Sequence, residues 1–126
     1  MIEPNDKKRL EADKDGLATY EFIANHIETC SEDMDYLVKN MIRADLTGQF
    51  LISAARYLHA IDATVFAGAI DALVAAGIDK DRDRAYIGAL MEQFYGADYL
   101  DRAAELSASD NNFRRIFKRL YPAGVI

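Results

Sequence analysis

The residues whose types and spacing could do chemistry are few. Glu11, Asp13 and Asp15, followed by Gly16, have the spacing of the first half of a calcium loop. Such a loop takes oxygen ligands at positions 1, 3 and 5 and turns on a glycine at 6. Its twelfth position needs a bidentate glutamate, and here that position is Phe22, with Glu21 one place short. A second acidic run, Asp79, Asp81 and Asp83, has Arg84 where the glycine belongs and Leu90 where the glutamate belongs. It reads as a solvated turn. His26 and Cys30 lie four apart, on one helix face, as two zinc ligands would. Zinc takes three or four protein ligands. His59 is the only other histidine and there is no second cysteine, so the pair reads as a part-buried histidine and a packed thiol. Di-iron bundles need Glu-x-x-His pairs, whereas Ile23 and Arg56 stand three before the two histidines. No phosphate-binding glycine loop and no Gly-x-Ser-x-Gly elbow occurs. No catalytic residue and no metal site is assigned.

Two sets of side chains remain as candidates. Arg114, Arg115, Lys118 and Arg119 crowd one short terminal segment and could contact an anion or a partner. The plainer reading is a solvated face that pairs with an acidic body. Tyr57, Tyr86, Tyr95 and Tyr99 lie on or near apolar stripes and could line a pocket or an interface. Tyrosines so placed also serve as core edges with the hydroxyl reaching water.

The elements that must position these residues are helices. The two prolines, Pro4 and Pro122, sit near the ends, and no alternating strand pattern appears. Leu10, Leu17, Tyr20, Ala24 and Ile27 follow helical spacing in a first segment, about 6–30, which Gly16 interrupts. From Met34 to Leu58 two apolar stripes run side by side, predicting one central helix with more apolar surface than a single neighbour covers. Small residues then recur every four, at Ala60, Thr64, Gly68, Ala72 and Ala76, which predicts a close helix approach. Gly77 reads as the stop of that helix, and whether the chain breaks near Asp62 stays open. Tyr86 to Phe94 and Leu100 to Leu106 continue the pattern, and Ser109 or Asp110 caps a last short helix. The expected architecture is all-α, an antiparallel bundle of five or six helices in one domain over 1–126. No internal repeat stands out.

Composition narrows the function classes. Net charge is −6, and the terminal basic segment leaves the body before it at −10. That balance argues against a general nucleic-acid binder. No apolar run reaches the ~18 residues of a membrane span. The first residues lack a signal-peptide pattern, and a single thiol suits a reducing compartment, so the expected location is cytoplasmic.

One resemblance adds to this reading. Ala54-Ala55-Arg56-Tyr57-Leu58-His59, then Gly68, then Ala72-Leu73-Val74-Ala75-Ala76 and the pair Phe94-Tyr95 stand in an order similar to the extra C-terminal helical domain of the longer acyl-CoA dehydrogenase-type flavoproteins. The likeness runs from Gly48 to Leu106. It implies a noncatalytic helical domain acting in packing or assembly, with FAD bound only by a longer protein. No catalytic-base or flavin motif of that family is matched here. The rival expectation is a free-standing helical module that binds a protein or a small ligand. Either way the expected partner is a second copy or a larger polypeptide body.

Overall fold

A computed structural model describes residues 1–123 of the 126. Eight α-helices account for most of them, and the described residues contain no strand. They are α1 (Pro4–Glu11), α2 (Leu17–Asn25), α3 (Met34–Ala44), α4 (Gln49–Asp62), α5 (Ala67–Lys80), α6 (Ala89–Tyr95), α7 (Ala103–Ser109) and α8 (Asn111–Leu120), with one 3₁₀ turn at Ser31–Asp33. The all-α expectation holds. The helices are shorter and more numerous than five or six: the turn at Asp45 divides a segment that apolar periodicity reads as continuous, and turns at Asp13 and Asp81 form the breaks expected near Gly16 and in the 79–83 run.

Those three points share one device. Asp13, Asp45 and Asp81 are buried, at 5%, 1% and 2% exposure. Asp13 accepts N–H groups from Asp15, Gly16 and Thr19, along with the Thr19 hydroxyl. Asp45 accepts from Thr47, Gly48, Phe50 and Leu51. Asp81 accepts from Ala85, Tyr86 and Ile87. The opening N–H groups of a helix have no partner inside it; Asp13 and Asp45 supply one at the starts of α2 and α4, and Asp81 holds the N–H groups of Ala85, Tyr86 and Ile87 in the turn that leads into α6. Three residues after each aspartate the backbone turns left-handed, at Gly16 (φ 99°), Gly48 (φ 89°) and Arg84 (φ 56°). Six residues after each, Thr19, Leu51 and Ile87 are wholly buried. The sequences Asp-Lys-Asp-Gly-Leu-Ala-Thr, Asp-Leu-Thr-Gly-Gln-Phe-Leu and Asp-Arg-Asp-Arg-Ala-Tyr-Ile are therefore copies of one turn. The chain does contain a repeat, spaced within the range of stacked helical repeats.

The copies stack. A Cβ on Gly16 would lie 3.2 Å from the Asp45 Cβ, and a Cβ on Gly48 would lie 3.0 Å from the Gly77 carbonyl and 3.3 Å from the Asp81 Cβ. Each turn thus rests on the next. A second device locks the layers. Arg43 and Asn40 on α3 donate to the Leu10 carbonyl at the end of α1. Lys80, closing α5, donates to the carbonyls of Ile42 and Asp45 at the end of α3. Arg119 on α8 donates to Ile78 (2.6 Å), Asp81 (2.6 Å) and Arg82 at the end of α5. A cation from each layer meets the negative end of the previous layer's helix. So α1, α3, α5 and α8 form one row, while α2, α4 and α6 form the other. Tyr20 on α2 meets Phe50 and Tyr57 on α4, and Arg56 on α4 meets Gln93 on α6.

Between the rows lies one contiguous core, in which Leu37, Met41, Leu51, Leu58, Leu73, Leu90 and Phe113 are essentially removed from water. The predicted helix from Met34 to Leu58 is two helices, α3 and α4, parted by the Asp45 turn. The stripe from Met34 through Leu37, Met41, Leu51 and Leu58 is buried by this chain's own neighbours, while in the second stripe Ile42, Phe50 and Tyr57 are half-buried and Leu46 is exposed, so most of the apolar surface expected to await a second copy is taken up within the chain. The predicted close approach is displaced as well. A Cβ on Gly68 would meet nothing within 4 Å, whereas one on Gly77 would lie 2.5 Å from Ile52 Cδ1. Gly77 is inside α5, not its stop, and it lets the end of α5 touch the start of α4. That contact makes α4 and α5 antiparallel. Asp62 closes α4, its carboxylate accepting from Thr64 and Val65 in the linking turn.

Candidate functional site

The acid runs of the sequence are structural. Asp13 lies in the first run, but its carboxylate faces backbone N–H groups and not outward. Burial works against its charge, yet the Thr19, Gly16 and Asp15 hydrogen bonds outweigh burial and hold it below the usual aspartate range. Asp81 is buried in the same manner, while Asp79 and Asp83 on either side of it are exposed, so the run is a solvated turn except at its central acid. No group of three or more metal-ligating side chains is assembled among the described residues. His26 stacks on Phe22 at 4.1 Å, and its Nδ1 lies 2.9 Å from the Phe22 carbonyl. Cys30 is buried, which pushes its thiol up.

The basic segment is divided by the turn of α8. Arg115 pairs with Asp79 and reaches the Ala75 carbonyl, and Arg119 is the layer lock. Arg114 and Lys118 point to solvent, Arg114 reaching Asn111 in its own helix. The four cations therefore do not form one anion cradle. The tyrosines are dispersed too. Tyr57 packs on Tyr20, and Tyr86 donates its N–H to Asp81. The Tyr99 hydroxyl lies 3.1 Å from that of Tyr121, a hydrogen bond that, with burial, pushes Tyr99 up to about 12. Tyr57 lines a shallow recess with Tyr20, Arg56 and Gln93, and Tyr95 lines a separate one of more acidic lining.

That recess, about 270 Å³, opens between the α4–α5 hairpin and the segment α6–α8. One side is apolar and small: Ala63, Ala67, Ile70 and Val74. His59 projects beside it and stacks on Phe94 at 4.2 Å and 12°. The polar side holds Asp71, Tyr95, Asp110 and Asn112. Asp110 caps α8, accepting the Phe113 N–H at 2.9 Å, and takes the Tyr95 hydroxyl at 3.1 Å. Asn112 donates to the Asp71 carboxylate at 2.9 Å. Tyr95 also meets Phe113 edge-on at 4.9 Å. Burial first, then the charges of Asp110 and Asp71, hold the Tyr95 phenol well above its ordinary range. It stays a neutral donor. No lysine or arginine lines the recess.

The sequence marked Tyr95 and, through the resemblance, His59 and Phe94. It missed Asp71, Asp110 as a side-chain acceptor, and Asn112. Asn112 and Asp71 lie 41 residues apart, and no local pattern joins them. The arrangement can hold a polar or cationic group against an aromatic face. It offers no nucleophile paired with a base.

No family model, no curated protein and no solved structure matches this chain.

Proposed function

We propose that this chain is a noncatalytic helical scaffold that docks a partner polypeptide, or a larger polypeptide body, on the face where α4–α5 meets α6–α8. The observation that carries this reading is the architecture: repeated turns stacked one on another, with a recess of mixed chemistry formed across layers between α4–α5 and α6–α8. Stacked helical repeats present binding surfaces built from several layers at once. The end of α4 and the α4–α5 turn, from which Ala63 lines the recess, also carry Ile61 and Val65, exposed at 49% and 64%. Exposed apolar residues beside a concave site mark interaction surfaces. The resemblance to the C-terminal domain of acyl-CoA dehydrogenase-type flavoproteins is compatible with this assembly role, with FAD belonging to a longer protein. A homodimer through the same face is the variant of the proposal in which the partner is a second copy.

The test is affinity capture with the wild-type chain and with Ala67→Gln, together with sedimentation of both. Ala67 is exposed at the first turn of α5, so the longer neutral side chain is tolerated by the fold and fills the recess by volume. A stoichiometric partner, or self-association, present in wild type and lost in the variant is expected. Equal capture by both proteins would remove this face as the docking surface.

A further inference from the structure

We infer that the recess receives one basic side chain, an arginine or lysine flanked by an apolar residue, from the partner segment; this deepens the scaffold reading and rests on it. The electrostatics are one-sided. Asp71 and Asp110 both line the recess, and every side-chain or N–H donor that reaches their carboxylates is neutral: the Asn112 amide, the Tyr95 hydroxyl and the Phe113 N–H. No lysine or arginine pairs with either among the described residues. The start of α8 offsets part of the charge on Asp110, and nothing comparable faces Asp71. Both carboxylates act on the same phenol, Tyr95, so their fields overlap inside the recess. A concave site lined by one sign of charge focuses that field on an incoming cation.

The shape selects the rest. A basic side chain has an apolar stem and a charged head. Ala67 and Ile70 leave room for the stem. The stacked rings of His59 and Phe94 give a flat face for the head, which favours a planar guanidinium. At about 270 Å³ the recess lies below the roughly 300–1,000 Å³ of pockets that hold drug-sized ligands, and suits a side chain better than a whole cofactor. The acidic body, with net charge −6, draws a basic segment from a distance.

The experiment uses the full chain and two probes, the peptide amide acetyl-Leu-Arg-Leu and its isosteric neutral counterpart with citrulline in place of arginine. Binding is followed by NMR at the Asn112 side-chain amide and the His59 ring. The arginine peptide is expected to shift both, the citrulline peptide to bind about tenfold more weakly, and Asp71→Asn to weaken the arginine peptide by about the same factor. Asp71 is exposed, so that variant keeps its fold, which an unchanged melting temperature verifies. Equal binding of the two peptides, or shifts confined to residues outside the recess, would overturn the inference. Free phenethylammonium binding as tightly as the peptide would overturn docking in favour of a small-amine pocket. If the peptides fail while capture still depends on Ala67, the scaffold reading stands and the basic side chain falls. If both fail, both fall.

Discussion

Asp45 is 1% exposed, and its carboxylate accepts four backbone N–H groups of the turn and helix that follow it. Removing the carboxylate strands those donors where water reaches poorly. Asp45→Ala is therefore expected to lose about 3 kcal/mol or more, and Asp45→Asn an intermediate amount, because its amide nitrogen cannot accept. Urea unfolding of the two variants measures this; an Asp45→Ala midpoint equal to wild type would show the turn holds without its acceptor. Asp13 adds a pH dependence. Its folded pKa lies below its unfolded value of about 3.9, so its contribution is fully present above that value and is lost as pH falls through the folded pKa. Stability should decline on acidification below about pH 4. In Asp13→Asn, less stable at neutral pH, that decline should be shallower. Urea midpoints from pH 7 to pH 3 report it, and parallel curves for the two proteins would refute the assignment.

At the scale of elements, the α4–α5 hairpin depends on one close approach, and the structure moves it from Gly68 to Gly77. A side chain at 77 would drive into Ile52, itself 2% exposed. Gly77→Leu should cost about 2–3 kcal/mol by overpacking. Gly68 faces open space on a helix, so Gly68→Leu should be neutral or gain up to about 1 kcal/mol from helix propensity. Melting temperatures of the pair decide between the two positions, and the opposite ranking would restore the small-residue ridge as the contact. The ridge was legible as a pattern, but small residues recur both where helices touch and where nothing touches them. Composition cannot separate those cases, since exposure is a property of the neighbour.

For the whole molecule, the layer locks bear on cofactor binding. A flavin pyrophosphate needs donors grouped at a loop or helix start. Two of the four terminal cations, Arg115 and Arg119, already contact α5 and the turn after it, and the other two face solvent separately. The isolated chain should purify colourless and retain no FAD after incubation and desalting. A visible spectrum with stoichiometric flavin absorbance would overturn the noncatalytic reading. The layers also differ in what they bury. α1 buries only Leu10 and is otherwise polar. In the first copy, Glu11 stands where Arg43 stands in the second, so the cation lock is not repeated at that position.

The sequence by itself determined that this chain is helical, where most of its apolar faces lie, and that the last helix opens at Ser109 or Asp110, of which the structure selects Asp110. These follow from short-range periodicity and capping, which a few neighbouring residues specify. It also held the repeat in plain view, as an aspartate followed three residues on by glycine, glycine and arginine. Two of the three copies drew notice only as defective calcium loops. The acids were the right signal, and their partners proved to be backbone N–H groups, because each turn is buried by the next. Only the tertiary structure decided that stacking, the division of the basic helix between locks and solvent, and the meeting of Asp71, Asp110 and His59 at one recess. Those are contacts between residues far apart in the chain, and their geometry depends on how the layers are offset, which no local pattern encodes.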